Sequence, residues 1–378
     1  MDRSLLRRTL VLLVAVAACH RSAGKGGDAD VVDATGDAAL EHADDAGDGT
    51  TDAAGEAPAD ALDVVDAPPD FSVDAVSDTP VTDAMVVAPS PFKEFVVPTP
   101  NAGPWGITVG NDGALWFTEL VAGKIGRITT AGVVTEFPIP TPNSGPFGIV
   151  QGGDYSCWFT EEFGNKIGRI TRQGVVTELD VPTKDANLEG IVTGFDGLYF
   201  AEADANKIGR VAPNGTITEF PIATLASYSS YLTLGPDTNV WFTEAFGKIG
   251  VVTQAGVITD FAIPTAGSGP VGITQGPDGA LWFAEGAGHA VGRSTATGTI
   301  TRFPLEGQAM PVSIVSHMGF LWVTEQTGNQ IIRVTTTGET KSYPLPTPRA
   351  FPAHLVVGPD GALWFTENIA NKIGRLAP

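Results

Sequence analysis

The sequence predicts an all-β fold, a seven-bladed β-propeller of four-stranded blades, and three observations point to it. The stretch Leu115-Trp116-Phe117-Thr118-Glu119 returns six more times, around Trp158, Tyr199, Trp241, Trp282, Trp322 and Trp364. Starting from Trp116, these aromatics stand 42, 41, 42, 41, 40 and 42 residues apart, a period in the range of propeller repeats. The last unit stops after Lys372-Ile373-Gly374-Arg375-Leu376, and the strand it lacks, Lys93-Glu94-Phe95-Val96-Val97, stands ahead of the first unit.

Each element of a unit has its own signal. In the first, Pro104-Trp105-Gly106-Ile107 leads into a strand and Asn111-Asp112-Gly113 marks a tight turn. Leu115 to Glu119 alternates as a strand buried on both faces, and Lys124 to Ile128 is the third strand. Ala131-Gly132 turns the chain into Val134-Thr135-Glu136-Phe137, which runs out through Pro138-Ile139-Pro140-Thr141-Pro142. The N-terminal strand is expected to complete the seventh blade by pairing with Lys372–Leu376. The propeller then spans residues 91–378.

Ahead of it, Arg3, Arg7 and Arg8 precede an apolar run from Leu10 to Ala18 that is too short to span a bilayer. Val16-Ala17-Ala18-Cys19 resembles the bacterial lipobox, so residues 1–19 are read as a lipoprotein-type signal peptide with lipid on Cys19. Residues 20–90, rich in Asp and Ala, have too few large apolar residues to fold and are expected to be a disordered linker. The resulting expectation is an extracytoplasmic, membrane-anchored monomer.

Charge bounds the partners. Residues 1–90 hold 5 Lys+Arg against 18 Asp+Glu, and residues 91–378 hold 17 against 25. With no basic stripe, the chain is not expected to bind nucleic acid. No Gly-x-Ser-x-Gly elbow and no Cys–His pair supports nucleophilic hydrolysis. Cys157, in a position otherwise taken by Leu115, Leu281 and Leu363, reads as a small buried hydrophobe.

The repeated motifs, Gly-Pro-Asp-Gly-Ala-Leu-Trp-Phe as in residues 276–283, Asn-Lys-Ile-Gly-Arg-Ile-Thr as in 165–171, and Thr-Glu-Phe-Pro-Ile-Pro-Thr-Pro at 135–142, resemble those of the virginiamycin B lyase (streptogramin B lyase) family over residues 92–378. The resemblance implies a seven-bladed propeller in which Mg²⁺ and a histidine base open a cyclic depsipeptide by β-elimination. Such chemistry needs a base at an acidic C–H and a cation beside the developing enolate. Carried over residue by residue, the family's tyrosine falls at Trp105, its two histidines at Val312 and Ala353, and one glutamate at Phe351. Only the second glutamate is retained, as Glu367.

A site that reads an asymmetric ligand has to break the repeat. The residues before the first-strand Gly or its counterpart form such a ring: Trp105, Phe147, Glu189, Ser230, Val271, Val312 and Ala353. Trp105, Phe147, Tyr228 and Tyr231, with Glu189, Arg349 and His354, suit a small molecule, peptide or glycan. The plainer reading is that Trp105 and Phe147 only plug the tunnel. His354 stands one residue beyond the expected base, where strand alternation sends it to the opposite side unless a bulge intervenes. The seven repeated glutamates, Glu119 to Glu367, are expected to be held by a neighbouring strand's Lys or Arg, such as Lys124 or Arg127. Two functions stay open: a binding module, which the lost histidines favour, and a Mg²⁺-dependent lyase with a rearranged site, in which Glu367 would meet the metal.

Overall fold

The computed structural model describes residues 90–377. The signal segment, Cys19 and the acidic linker lie outside the described residues. Twenty-eight strands, β1 to β28 in chain order, form seven antiparallel four-stranded sheets. The first blade consists of β2 (Pro104–Val109), β3 (Leu115–Glu119), β4 (Lys124–Ile128) and β5 (Val134–Pro138), in that order across the sheet.

The repeat residues explain the blade. Phe117 lies flat across Gly126 of β4, where an added Cβ would come within 2.1 Å of the ring. Gly is therefore the residue that fits at the centre of Lys-Ile-Gly-Arg. Trp116 faces the other way and stacks on Phe137 at 5.6 Å. Its indole N–H donates to Asp112, whose other oxygen accepts from Arg127 Nε at 2.7 Å. The Asp of the tight turn thus ties the turn to the second and third strands. Cys157 is buried and free, and burial pushes its thiol up to about 12, which leaves it unreactive.

The innermost strands are β2, β6 (Pro146–Gln151), β10 (Leu188–Thr193), β14 (Ser229–Leu234), β18 (Pro270–Gln275), β22 (Pro311–His317) and β26 (Pro352–Val357). Each touches the next, and β26 touches β2, so they ring a central axis. A belt of threonines ties neighbours together: Thr118 Oγ1 donates to the Phe147 carbonyl at 2.8 Å, and Thr366 Oγ1 to the Trp105 carbonyl at 2.6 Å. In the last sheet β1 (Phe92–Val96) lies antiparallel to β28 (Lys372–Leu376), with Phe92 opposite Leu376 and Val96 opposite Lys372. Every buried core cluster but one lies between blade faces; the exception sits on the axis.

Candidate functional site at the mouth of the axis

Each innermost strand opens with a β-bulge. On β2, Pro104 pairs with Glu119 and Ile107 with Phe117, so three residue steps oppose two. The same shift falls between Ser229 and Leu232 and between Pro352 and Leu355. A bulge re-aims the side chains within it, so strand alternation does not govern where His354 points. Its imidazole stacks on Tyr231, from the blade opposite, at 5.8 Å and 15°. The expectation that alternation carries His354 away from the axis is corrected by this geometry.

From Tyr231 the aromatic contacts continue to Phe147 at 6.1 Å and from Phe147 to Trp105 at 5.3 Å. These four rings come from the seventh, fourth, second and first blades, which meet only at the axis. Trp105 and Phe147 are buried there with Ala353, while Tyr231 and His354 keep part of their surface open. Burial lowers the His354 pKa to about 4, against a smaller opposite effect of the Ile107 backbone, so the ring is neutral at pH 7. Its Nδ1 and the indole Nε1 of Trp105 have no hydrogen-bond partner among the described residues.

Beside the rings lies an acidic arc. Glu189 accepts a short hydrogen bond from Ser230 Oγ. Burial raises its pKa to about 7; the Ser230 bond opposes this and the charge of Asp204 adds to it. Glu162, at the end of the second strand of the second blade, is 6% exposed with Oε2 unpartnered. Burial, then the charges of Glu189 and Asp204, hold its pKa well above the usual carboxylate range. Sequence reasoning missed Glu162. A signal was present: the residue following each repeated Glu reads Leu120, Glu162, Ala203, Ala245, Gly286, Gln326 and Asn368, with a single charge among seven.

Two expected residues stand apart from the cluster. Tyr228 is 40% exposed and sets its ring edge-on to Phe246. Arg349 is exposed, on a loop residue at φ 54°. With Val121, Phe163, Leu225 and Ile369 also exposed on the loops at this end of the blades, the mouth has an apolar rim. A separate cleft of about 380 Å³ lies at the other end of the first two blades, lined by Asp112, Asp154 and Arg169. These side chains are already paired as scaffold.

The positions at which the resemblance places the lyase histidines are apolar and closed: Val312 and Ala353 are both buried. The Mg²⁺ it implies does not fit the residues present. Among the described residues no group of three His, Cys, Asp or Glu is placed to hold a metal. Glu367 is buried with both oxygens unpartnered, and burial, then the charge of Glu94, raises its pKa to about 8 against the pull of Lys372. A single buried carboxyl offers a hard cation too few of the oxygen ligands it requires.

The repeated glutamates also differ from expectation. Lys124 bonds the fourth-strand Glu136 at 3.1 Å, not Glu119, and the same choice recurs for Lys166 with Glu178, Lys207 with Glu219 and Lys372 with Glu94. Each fourth-strand acid also accepts from a Thr of the preceding blade, as Glu136 does from Thr99 N and Oγ1. The second-strand Glu is left protonated beside it, with Glu119, Glu161, Glu202 and Glu244 raised to about 8, first by burial and then by the neighbouring acid. Only two blades answer otherwise. Glu285 is held by Arg302 at 2.8 Å, and Glu325 accepts from the Met310 and Gly328 backbones and from Gln330.

A family model described as the Virginiamycin B lyase family matches residues 85–198, 176–319 and 307–378. Virginiamycin B lyase of Saccharopolyspora erythraea is 51% identical over 43 residues, 11% of this chain and 14% of that protein. The Bacillus licheniformis protein of the same name is 49% identical over 39 residues, 10% of this chain and 13% of that one. The aligned stretches therefore span only a small part of these curated relatives. Solved structures match more widely. A streptogramin B lyase superposes with TM-score 0.73 at 37% identity, covering 76% of this chain and 97% of that one. A catalytically inactive histidine-to-alanine variant of virginiamycin B lyase from Staphylococcus aureus, with quinupristin, gives 0.73 at 39% identity, covering 76% and 99%.

Proposed function

From the premise that this chain belongs to the virginiamycin B lyase family, we propose that it is a ligand-binding member that has given up the family's elimination chemistry. The observation supporting this reading is the replacement of the expected base positions by buried Val312 and Ala353, beside rings that remain partly open. A general base is worth about 10²–10⁴-fold in rate, and none of suitable basicity stands at those positions. His354 is neutral and has an unpartnered Nδ1, the one feature that favours the second reading, a lyase with a displaced base. The aromatic wall and apolar rim suit a small molecule, a peptide or a macrocycle such as a streptogramin B. Lipid on Cys19 would hold this binding head at a membrane surface, and Cys19→Ala should then move the protein from the membrane fraction to the soluble one.

The deciding experiment incubates the protein with quinupristin and Mg²⁺ and separates the products by chromatography, because elimination leaves the mass unchanged. The expected outcome is an intact ring together with saturable binding by calorimetry. Mg²⁺-dependent ring opening that His354→Ala abolishes would install His354 as the base and overturn the proposal.

A further inference from the structure

We infer that the mouth of the axis takes an organic ammonium ion, with its carbon groups against the rings of Tyr231, His354 and Trp105 and its charge facing Glu189 and Glu162. This rests on the reading of the mouth as a ligand site and names the chemistry of the ligand. Three observations converge on it. Glu162 is nearly enclosed, its Oε2 has no hydrogen-bond partner among the described residues, and the charges of Glu189 and Asp204 act on it. None of these three carboxyls forms an ion pair with a Lys or Arg among the described residues, whereas fourth-strand acids in five blades each have a Lys within 4.0 Å. The rings beside them run in unbroken contact from His354 to Trp105.

Without a resident cation the acids of this arc stay partly protonated, a cation from outside would favour their ionised form, and the rings decide which kind. A divalent metal ion needs several oxygen ligands in close array, and no such group is present among the described residues. A substituted ammonium instead gains from aromatic faces, which attract its charge and cover its carbon groups. His354 does not compete, because burial keeps its ring neutral at pH 7.

The test is calorimetric titration of the full-length protein with choline and with its uncharged isostere 3,3-dimethylbutan-1-ol. Choline should bind at least about tenfold more tightly than the alcohol, the difference being the charge facing rings and carboxylates. Glu189→Gln should weaken choline by about tenfold with melting little changed, and Glu162→Gln serves if that variant does not fold. Equal binding of choline and the alcohol overturns the inference, as does displacement of choline by millimolar Mg²⁺. If quinupristin binds and choline does not, the inference fails while the binding-module reading stands. If neither binds, both fail.

Discussion

Two sets of buried carboxyls lie in the same blades, and they differ in what stands beside them. Midway along five blades a protonated glutamate such as Glu119 sits against an ionised one such as Glu136, with Lys124 and Thr99 holding the second. At the mouth of the axis, Glu162 and Glu189 act on each other electrostatically, as Asp204 does on both, and none of the three forms an ion pair with a Lys or Arg among the described residues. Burying a charge is costly unless it is paired, and the repeat solves that cost once and copies the solution. The mouth leaves the cost standing at an unrepeated place. In a repeat protein, an unanswered acid off the pattern is a better pointer to a ligand than any acid on it.

The largest expected effect tests the repeated arrangement at the seam. Deleting residues 91–100 removes β1 together with Glu94 and Thr99, exposes the edge of β28 and takes the carboxylate partner from Lys372. The melting temperature by calorimetry should fall by roughly 10 °C or more, as an opened sheet edge and lost packing would require. Unchanged melting would show that β1 contributes nothing to the seventh blade.

A smaller effect separates the two kinds of answer. Arg302→Met leaves Glu285 fully buried beside no cation and should cost about 3 kcal/mol in denaturant unfolding. Lys248→Met should cost under about 1 kcal/mol, because its contact with Asp260 is 3.9 Å long and partly exposed. Similar losses in the two variants would erase the distinction.

A further effect is in pH. Glu367 has its pKa raised to about 8, so the folded chain keeps a proton that the unfolded chain gives up above the usual carboxylate pKa. Unfolding then releases protons, and stability should fall as pH rises from about 4.5 to 8 and level off above that. Glu367→Gln should flatten this slope by its share and leave stability at pH 5 nearly unchanged. A slope of the opposite sign would mean that the glutamate is ionised in the fold.

The fold was legible because repetition writes each element seven times, with Pro104, Gly113 and Gly126 recurring at the same points in most blades. The partner of Glu119 was not legible. Lys124 stands 5 residues from Glu119 and 12 from Glu136 in sequence, yet it bonds the farther one, because that acid already collects two hydrogen bonds from Thr99 of the preceding turn. The ring Trp105, Phe147 and Glu189 could be found from broken symmetry. The geometry around His354 could not, because the bulge that re-aims it leaves no mark in residue type. Glu162 hid beside the repeated Glu161 and looked like a second copy of it.

That bulge has a consequence for how the mouth can change through substitution. Its third residue is Gly106, Gly148, Gly190, Tyr231, Gly272, Ser313 and His354 around the ring. At Gly106 an added Cβ would lie 2.4 Å from the Phe147 carbonyl oxygen, and at Gly190 2.5 Å from that of Ser230. Where a side chain is present the amide stands slightly farther from its threonine, 3.2 Å at Tyr231, 3.1 Å at His354 and 3.0 Å at Ser313, against 2.8 Å at Gly106 and 2.9 Å at Gly148. The seven slots are thus not equally open to mutation. A lineage could exchange Tyr231, Ser313 and His354 at little cost to the scaffold and so retune what the axis receives, while the four glycines lock the remaining slots against any side chain.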